Sequence, residues 1–266
     1  MSTNRRIKIV VAYDGYDFCG FAPQAGQRTV HGILTDGLRQ VLGDDCEITG
    51  ASRTDSGAHA RGQVCHFDTG NPIPAERLPR AVNQVLPHDL TLLKGEEVHP
   101  DFHSRFWARK RWYRYRMLLG ERDPMRTRYA FHYGKQLDVR AMQEAATGLV
   151  GTHDFIGFSQ LFDSEKNSVR TLYSVEVKAF RDEVWVDVVG TAFVRGMMRR
   201  ISGALWEIGR GAYPKSRITD LLAQRDKANI DWPTVLPACG LTLMKVSYGR
   251  HPSDIRDLDR DLETNR

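Results

Sequence analysis

The chain has 266 residues, of which 41% are hydrophobic and 27% are charged, and its net charge is +5 at pH 7. This length suits one large or two small folding units, and a chain of this size needs no disulfide or metal to stabilise its core. No apolar run approaches the roughly 20 residues that cross a bilayer, since the longest near the N-terminus, residues 9–13, ends at Asp14. We therefore exclude a membrane protein, and the small basic excess is compatible with an anionic partner.

The cysteines are few and widely spaced: Cys19, Cys46, Cys65 and Cys239. They include no closely spaced pair of the kind that structural zinc sites use. We expect free thiols, which are the ordinary state in a reducing compartment, and hence a cytoplasmic protein.

The first hundred residues alternate between strand and helix patterns. Residues 6–13 (RIKIVVAY) alternate and are rich in β-branched side chains, which predicts a strand. Apolar residues then recur at helical spacing between Thr29, which can cap a helix, and Gly43, which can end it. The order β-α-β-β-α-β is completed by a strand at 47–51, a polar loop at 52–61, a strand at 63–69, a helix at 74–86 and a strand at 91–98.

The second half repeats this order of elements without repeating the sequence. Residues 108–119 predict a long strand, and Asp138 can cap a helix that stops near Gly151. Residues 169–180 and 184–190 alternate on either side of a short turn, which predicts a hairpin. The remaining elements are a helix from Phe193 to Gly209 or Gly211, a short helix at 218–224 and a strand at 241–248.

Two β-α-β-β-α-β units in tandem are typical of two ferredoxin-like halves. The predicted class is α+β, with a mixed, largely antiparallel sheet and a central active-site cleft. We predict an N-terminal half at residues 1–104, a C-terminal half at residues 105–250 and a flexible tail at residues 251–266. In this tail, acidic and basic residues alternate with few apolar ones.

Positive charge is concentrated in two segments. Between Arg105 and Arg128 nine Arg or Lys residues stand against two acids, interleaved with aromatic residues. Guanidinium groups can neutralise phosphates while rings stack on unpaired bases. The segment as a whole therefore suggests nucleic acid, although packing in the core better explains any single ring. In the second segment Arg195 and Arg199 share a helix face, which is either solvated or available to a carboxylate or phosphate.

The most unusual segment is the loop at residues 51–63 (ASRTDSGAHARGQ). It joins two short strands but is far longer than an ordinary hairpin connection. Asp55 lies between Arg53 and Arg61, and neighbouring guanidinium groups favour a charged carboxylate. The loop offers no second acid for a paired-carboxylate mechanism. Asp55 is therefore a nucleophile, a general base or an ion-pair partner, or it simply caps the turn that follows it.

Metal and serine chemistry find little support in this loop. His59 and His66 match no common spacing of metal ligands, so we expect no metal. Ser56 lacks the G-x-S-x-G frame of a nucleophilic serine.

One segment of the chain consists of the string SRTDSGAHA at residues 52–60, followed by GQV at 62–64 and HFD at 66–68. This segment closely resembles the active-site segment of the tRNA pseudouridine synthase A family. The resemblance covers nearly the whole chain. Its other motifs occur in the expected order: YDG at 13–15, DFHSRF at 101–106, YRY at 113–115, DF at 154–155, AFV at 192–194 with Met197 and Arg199, and GL at 240–241.

The resemblance implies an isomerase that converts uridine to pseudouridine in tRNA without a cofactor or a metal. The expected targets are uridines at positions 38–40, on the 3′ side of the anticodon arm. It also implies a homodimer that holds the tRNA with both subunits. The alternative is a non-catalytic tRNA-binding or tRNA-folding protein that uses the same basic cleft.

The resemblance also implies roles for individual residues. Asp55 matches the catalytic aspartate, and Tyr113 matches the tyrosine that stacks on the target uracil. Arg199 matches the basic residue that pairs with the aspartate. The other substrate contacts expected are Arg53, Arg61 and His59.

Overall fold

The structure is a computed structural model, and it describes residues 4–43, 45–159, 167–224 and 229–249. Contacts divide the chain into two units. The first comprises the chain up to Lys110 together with the chain from Leu243, and the second is Arg111–Thr242. The predicted halves meet at residue 104 instead, and the predicted second half includes the last strand, which the contacts group with the first unit. The predicted tail lies outside the described residues.

The first unit contains strands β1 to β4, helices α1 and α2, and most of the last strand, β10. Their bounds are β1 Arg5–Tyr13, α1 Val30–Leu42, β2 Thr49–Gly50, β3 His59–Thr69, α2 Leu78–Val82, β4 Leu90–Val98 and β10 Leu241–Tyr248. The strand order within this unit is β4-β1-β3-β10, with β2 paired to β3. The pairs of β1 with β3, β1 with β4, and β2 with β3 are antiparallel.

Local sequence explains the main elements of this unit. Alternate side chains of β1, those of Ile7, Ile9 and Val11, are fully buried, as expected for a strand with one core face. Helix α1 begins where the Thr29 hydroxyl accepts a hydrogen bond from the N–H of Gly32 at 3.1 Å. It ends at Gly43, whose φ of 71° is left-handed. Both predicted helix boundaries are confirmed.

Two predictions for this unit need correction. Strand β3 begins at His59 rather than at residue 63, because its pairing with β1 continues to the Tyr13–Ala60 pair. The helix predicted at 74–86 is reduced to a 3₁₀ turn, Ala75–Arg77, and the short helix α2. Helix α2 stops at Val82, and the next side chain, that of Asn83, hydrogen-bonds the backbone of Leu92 in β4.

The second unit contains helices α3 to α5 and strands β5 to β9. Their bounds are β5 Ala108–Leu118, β6 Phe131–His132, α3 Val139–Ala146, β7 Gly151–Asp154, β8 Val169–Phe180, β9 Glu183–Gly190, α4 Met197–Gly209 and α5 Arg217–Ala223. The order is β5-β9-β8-β7, with antiparallel pairs; β6 pairs with β5 in parallel. The predicted α+β class with largely antiparallel strands is confirmed, while the tandem ferredoxin-like halves stay a prediction.

The predicted hairpin of the second unit is confirmed by the pairing of Phe180 with Glu183 across its turn. The start predicted for α4 at Phe193 was wrong by four residues. Gly196 precedes the helix with a φ of 76°, and this left-handed conformation interrupts the helical path that the apolar spacing suggested.

None of the helices in the described ranges has the length and apolarity needed to cross a bilayer. The prediction of free cysteines is confirmed for all four. Cys65 is fully buried, and this burial raises the pKa of its thiol, so the thiol is unreactive.

Acidic side chains of the second unit neutralise part of the basic segment. Arg114 makes a bidentate ion pair with Asp187, both bonds at 2.8 Å. Arg116 makes another with Glu183, at 2.8 and 2.7 Å, and Arg126 also reaches Glu183. At least three of the nine cations are thus paired with acids, and the prediction that the segment contacts nucleic acid does not extend to these three.

Glu183 is the centre of this network and determines its response to acid. Its side chain is only 3% exposed. Burial opposes its ionisation, but hydrogen bonds from Arg116, Arg126 and Trp185 outweigh burial and lower the pKa of Glu183 to about 2. Because this pKa lies below that of the unfolded chain, the network stabilises the fold above about pH 4.5. That stability is lost as the pH falls towards 2.

Substitution Glu183→Gln is expected to lower the free energy of unfolding at pH 7 by about 1–3 kcal/mol, because it removes the buried charged partner of Arg116 and one of the two charged partners of Arg126. The difference from wild type should shrink as the pH approaches 2. Urea unfolding across this pH range measures both effects, with the exposed Glu121→Gln as control. This account would be contradicted if Glu183→Gln were as stable as wild type at pH 7, or if the difference in stability between them did not change with pH.

Candidate active site

The loop that carries Asp55 is closed at its base by the fully buried side chain of Gln63. The Gln63 amide donates to the carbonyl of Ser52 at 2.7 Å, and its oxygen accepts from the N–H groups of Ser52 and Val64, both at 3.2 Å. One side chain therefore satisfies backbone groups on both arms of the loop. This fixes the width of the loop where it leaves the strands.

The tip of the loop is held by the segment of residues 13–21, which begins at the last residue of β1; we call this segment the clamp. The hydroxyl groups of Tyr13 and Thr54 are hydrogen-bonded at 2.8 Å in a buried setting. The N–H of Phe21 donates to the carbonyl of Thr54 at 3.1 Å, and the N–H of Gly57 donates to the carbonyl of Phe18 at 3.3 Å. The residues on both sides of Asp55 are thereby anchored.

Gly15 brings the clamp into direct backbone contact with the loop. A Cβ atom at this position would lie 1.8 Å from the carbonyl oxygen of Ala58, so only glycine permits the approach. The N–H of Gly15 donates to Nδ1 of His59 at 3.0 Å, which makes Nδ1 an acceptor. Asp14, 3.2 Å from the same nitrogen, accepts instead from the N–H of Tyr16 at 3.1 Å. The buried His59 ring therefore supports the loop, and its predicted contact with substrate stays a prediction.

Asp55 is accessible to solvent, although residues on either side of it that anchor the loop are buried. Its neighbours Thr54 and Ala58 are buried, whereas Asp55 is partly exposed and both Arg53 and Arg61 are exposed. The backbone carbonyl of Asp55 closes a turn with the N–H of Ala58 at 3.1 Å. Arg53 precedes Asp55 in the loop and Arg61 follows it in β3, so two exposed cations flank the acid along the chain, and exposed cations attract anions.

The other two predicted site residues, Tyr113 and Arg199, belong to the second unit. Tyr113 is a buried residue of β5 opposite Val188 of β9. Its ring meets that of Phe193 edge-to-face, with centroids 4.8 Å apart and planes at 73°, a favourable aromatic geometry. Sequence reasoning missed Phe193 as the support of Tyr113, because 80 residues separate them.

Arg199 lies in the first turn of α4, together with Arg200. Nε of Arg199 donates to the carbonyl of Leu236 at 2.6 Å, and Arg200 donates to the carbonyl of Pro233 at 2.9 Å. Cations are unfavourable at this end of a helix, where the helix dipole is positive, and the first turn contains no acid. Two backbone carbonyls hold the arginines there, and the resulting positive field suits a carboxylate or a phosphate.

Within the described ranges, no cluster of three or more His, Cys, Asp or Glu side chains is placed to hold a metal ion. His66, considered as a ligand from the sequence, instead contacts the hydroxyl of Ser104 through Nδ1 at 2.9 Å. Burial lowers its pKa to about 4, so His66 is a neutral structural residue at pH 7.

The sequence as a whole can be compared with known families. The sequence model of a family described as tRNA pseudouridine synthase matches residues 9–106 and 145–249. The chain belongs to this tRNA pseudouridine synthase family. The match includes the Asp55 loop, the clamp and α4, whereas Tyr113 lies between the two matched segments.

Individual relatives of the tRNA pseudouridine synthase family cover most of the chain. A tRNA pseudouridine synthase A of Brevibacillus brevis is 41% identical over 92% of this chain and 100% of its own length. That of Lactobacillus delbrueckii subsp. bulgaricus is 39% identical over 97% of this chain and 99% of its own. Among solved structures, a Cbf5-Nop10-Gar1 complex matches with 14% identity over 75% of this chain and 45% of that chain, at a TM-score of 0.33. A score at that level supports no conclusion about shared function.

The contacts of Thr54 allow a test of how the clamp acts. Substitution Thr54→Val keeps the shape of the side chain but removes the hydroxyl that bonds Tyr13. We expect pseudouridine formation to slow about tenfold or more at saturating tRNA, because small displacements of a reacting group reduce rates steeply. The affinity for tRNA should be unchanged, since Thr54 is buried.

Thr54→Ser is the matched control, because it retains the hydroxyl group, and it should keep most of the activity. Single-turnover kinetics separate the rate of the reaction from tRNA binding. A Thr54→Val variant as fast as wild type would show that the clamp does not position Asp55.

Proposed function

We propose that this protein converts uridines at positions 38–40, on the 3′ side of the tRNA anticodon arm, to pseudouridine, with Asp55 as the catalytic residue. Membership of the family makes the protein an isomerase that acts on tRNA. The observation that carries the assignment of Asp55 is the rigid loop, which presents one partly exposed carboxylate between buried residues that anchor the loop. The target positions rest on the resemblance of the motifs.

The reaction requires a charged group close to the sugar. Isomerisation breaks the bond between C1′ and N1, turns the base and joins C1′ to C5. The hydrogen on C5 leaves as a proton, and N1 takes up a proton from water. A carboxylate such as that of Asp55 can capture the sugar cation at C1′ or abstract a sugar proton. Each role needs the carboxylate form of the side chain.

The target uridine has to leave the base stack before any carboxylate can reach its sugar. We assign Tyr113 to stacking against the displaced uracil, a role that aromatic rings commonly take in RNA recognition. Its edge-to-face contact with Phe193 holds the ring in one orientation. Arg53 and Arg61, both exposed, are assigned to backbone phosphates, which cations contact to fix the register of the substrate.

Arg199 is assigned to pairing with the catalytic carboxylate, as the resemblance implies. Its place in a helix first turn that lacks acids supports an anionic partner. The homodimer and the cytoplasmic location stay predictions.

Substitution Asp55→Asn keeps the side-chain shape and removes the charge. We expect tRNA binding to stay within about threefold of wild type, because the removed charge repels phosphates rather than attracts them. Formation of pseudouridine at positions 38–40 should be undetectable by carbodiimide mapping of a tRNA transcript.

The control is Asp36→Asn, which removes an equal charge from the exposed surface of α1; it should modify the transcript like wild type. An active Asp55→Asn variant would overturn the catalytic assignment, and wild-type modification at other positions would overturn the assignment of the target.

A further inference from the structure

An aromatic pocket lies in the first unit, apart from the Asp55 loop. It has a volume of about 240 Å³. We call it the aromatic pocket, and its lining residues are Lys8, Val98, His99, Phe102, Trp107, Tyr248 and Gly249. None of these residues has a role in the proposed catalysis.

The rings of the aromatic pocket are held in place by contacts beneath them. The Phe102 ring meets Trp107 edge-to-face at 5.6 Å and Tyr248 at 5.1 Å. The Tyr248 hydroxyl donates to the carbonyl of Ser104 at 2.6 Å, and the Arg6 guanidinium donates to the carbonyl of Phe102 at 3.0 Å. The ammonium of Lys8 lies over the Phe102 ring, 5.6 Å from its centroid, and over the Tyr248 ring, 5.5 Å from its centroid. The faces of these two rings thus already hold a cation, and Trp107 is the ring on which an incoming planar group can stack with little ordering cost.

A second depression adjoins the aromatic pocket and is polar. It also has a volume of about 240 Å³, shares Lys8 and Tyr248 with the pocket, and adds Lys245, Val246 and Ser247; we call it the lysine depression. Glu96 contacts both Lys8 and Lys94, so one carboxylate faces two ammonium groups. With Lys245 the local charge is positive.

The ring contacts continue from the pocket to an exposed residue. Phe102 also meets the ring of His66, which contacts His103, and His103 packs on Phe106 with centroids 4.2 Å apart. Phe106 is 74% exposed, and the guanidinium of Arg105 lies 5.9 Å from its ring. An exposed ring beside a cation is a typical platform for a base of single-stranded nucleic acid.

We propose that the aromatic pocket and the lysine depression together bind one unstacked nucleotide of the tRNA substrate, at a second contact outside the Asp55 loop. The base enters the aromatic pocket, and its phosphate lies in the lysine depression. The pairing of an apolar, ring-lined cavity with an adjoining cationic one matches the two parts of a nucleotide. Stacking on rings accepts any base, so this site adds affinity without reading sequence. The proposal rests on the proposed function, because it takes tRNA as the ligand.

Two variants test the two halves of the site with an unmodified tRNA transcript as the probe. Trp107→Leu removes a stacking face and should weaken tRNA binding about tenfold, within the range measured for loss of one stacked base. Lys245→Gln should weaken binding and reduce the slope of log affinity against log salt by about 0.7–0.9, the value for one phosphate contact. Turnover at saturating tRNA should match wild type for both.

Arg39→Gln is the charge-matched control, since it removes one cation from the last turn of α1, outside both depressions; its affinity and salt slope should equal those of wild type. Trp107→Phe provides a readout that does not depend on stability, because it keeps a ring but removes the fluorophore. The difference in fluorescence between wild type and this variant is the emission of Trp107. This emission should be quenched when tRNA is added.

The proposal would be overturned if wild type makes pseudouridine but both Trp107→Leu and Lys245→Gln bind tRNA with unchanged affinity and the emission of Trp107 is not quenched. Failure of wild type to modify tRNA would instead overturn the proposed function. A loss of affinity caused by unfolding of Trp107→Leu is recognised by thermal denaturation, and in that case Lys245→Gln and the quenching decide.

Discussion

The close approach of the clamp to the Asp55 loop is the constraint on which the site depends. Gly15 leaves no space between the clamp and the carbonyl of Ala58, and the buried hydrogen bond between Tyr13 and Thr54 fixes the residue before Asp55. Without these contacts a long polar loop would sample many conformations, and adopting the reactive one would cost conformational entropy. Here the ordering is achieved on folding, so the carboxylate is in place before tRNA arrives.

The distribution of charge separates arginines that are paired with acids from arginines that are exposed. In the second unit, Arg114 and Arg116 are neutralised by Asp187 and Glu183 within the sheet, so they stabilise the fold. In the first unit, Arg53 and Arg61 are exposed on either side of Asp55. A net charge of +5 does not reveal this difference, because the acids that pair with Arg114 and Arg116 lie far from them in the sequence.

Sequence patterns predicted most helices and strands because burial on one face leaves a periodic record, as in β1 and α1. They missed β6 and β7, which are too short to show a period, and misplaced the start of α4, where the conformation of Gly196 overrides apolar spacing. Motifs identified the Asp55 loop, since its residues are contiguous. The supports of the site, Gln63 across the loop and Phe193 beside Tyr113, depend on the tertiary fold and leave no local pattern.

The most direct test of the account is the release of tritium from a tRNA transcript labelled at C5 of uridine. Joining C1′ to C5 expels this hydrogen, so release into water reports isomerisation itself. We expect one tritium released for each pseudouridine formed at positions 38–40, at a rate that EDTA does not change. Binding of the tRNA without release would identify a non-catalytic RNA-binding protein, and loss of release in EDTA would contradict a mechanism carried by Asp55 alone.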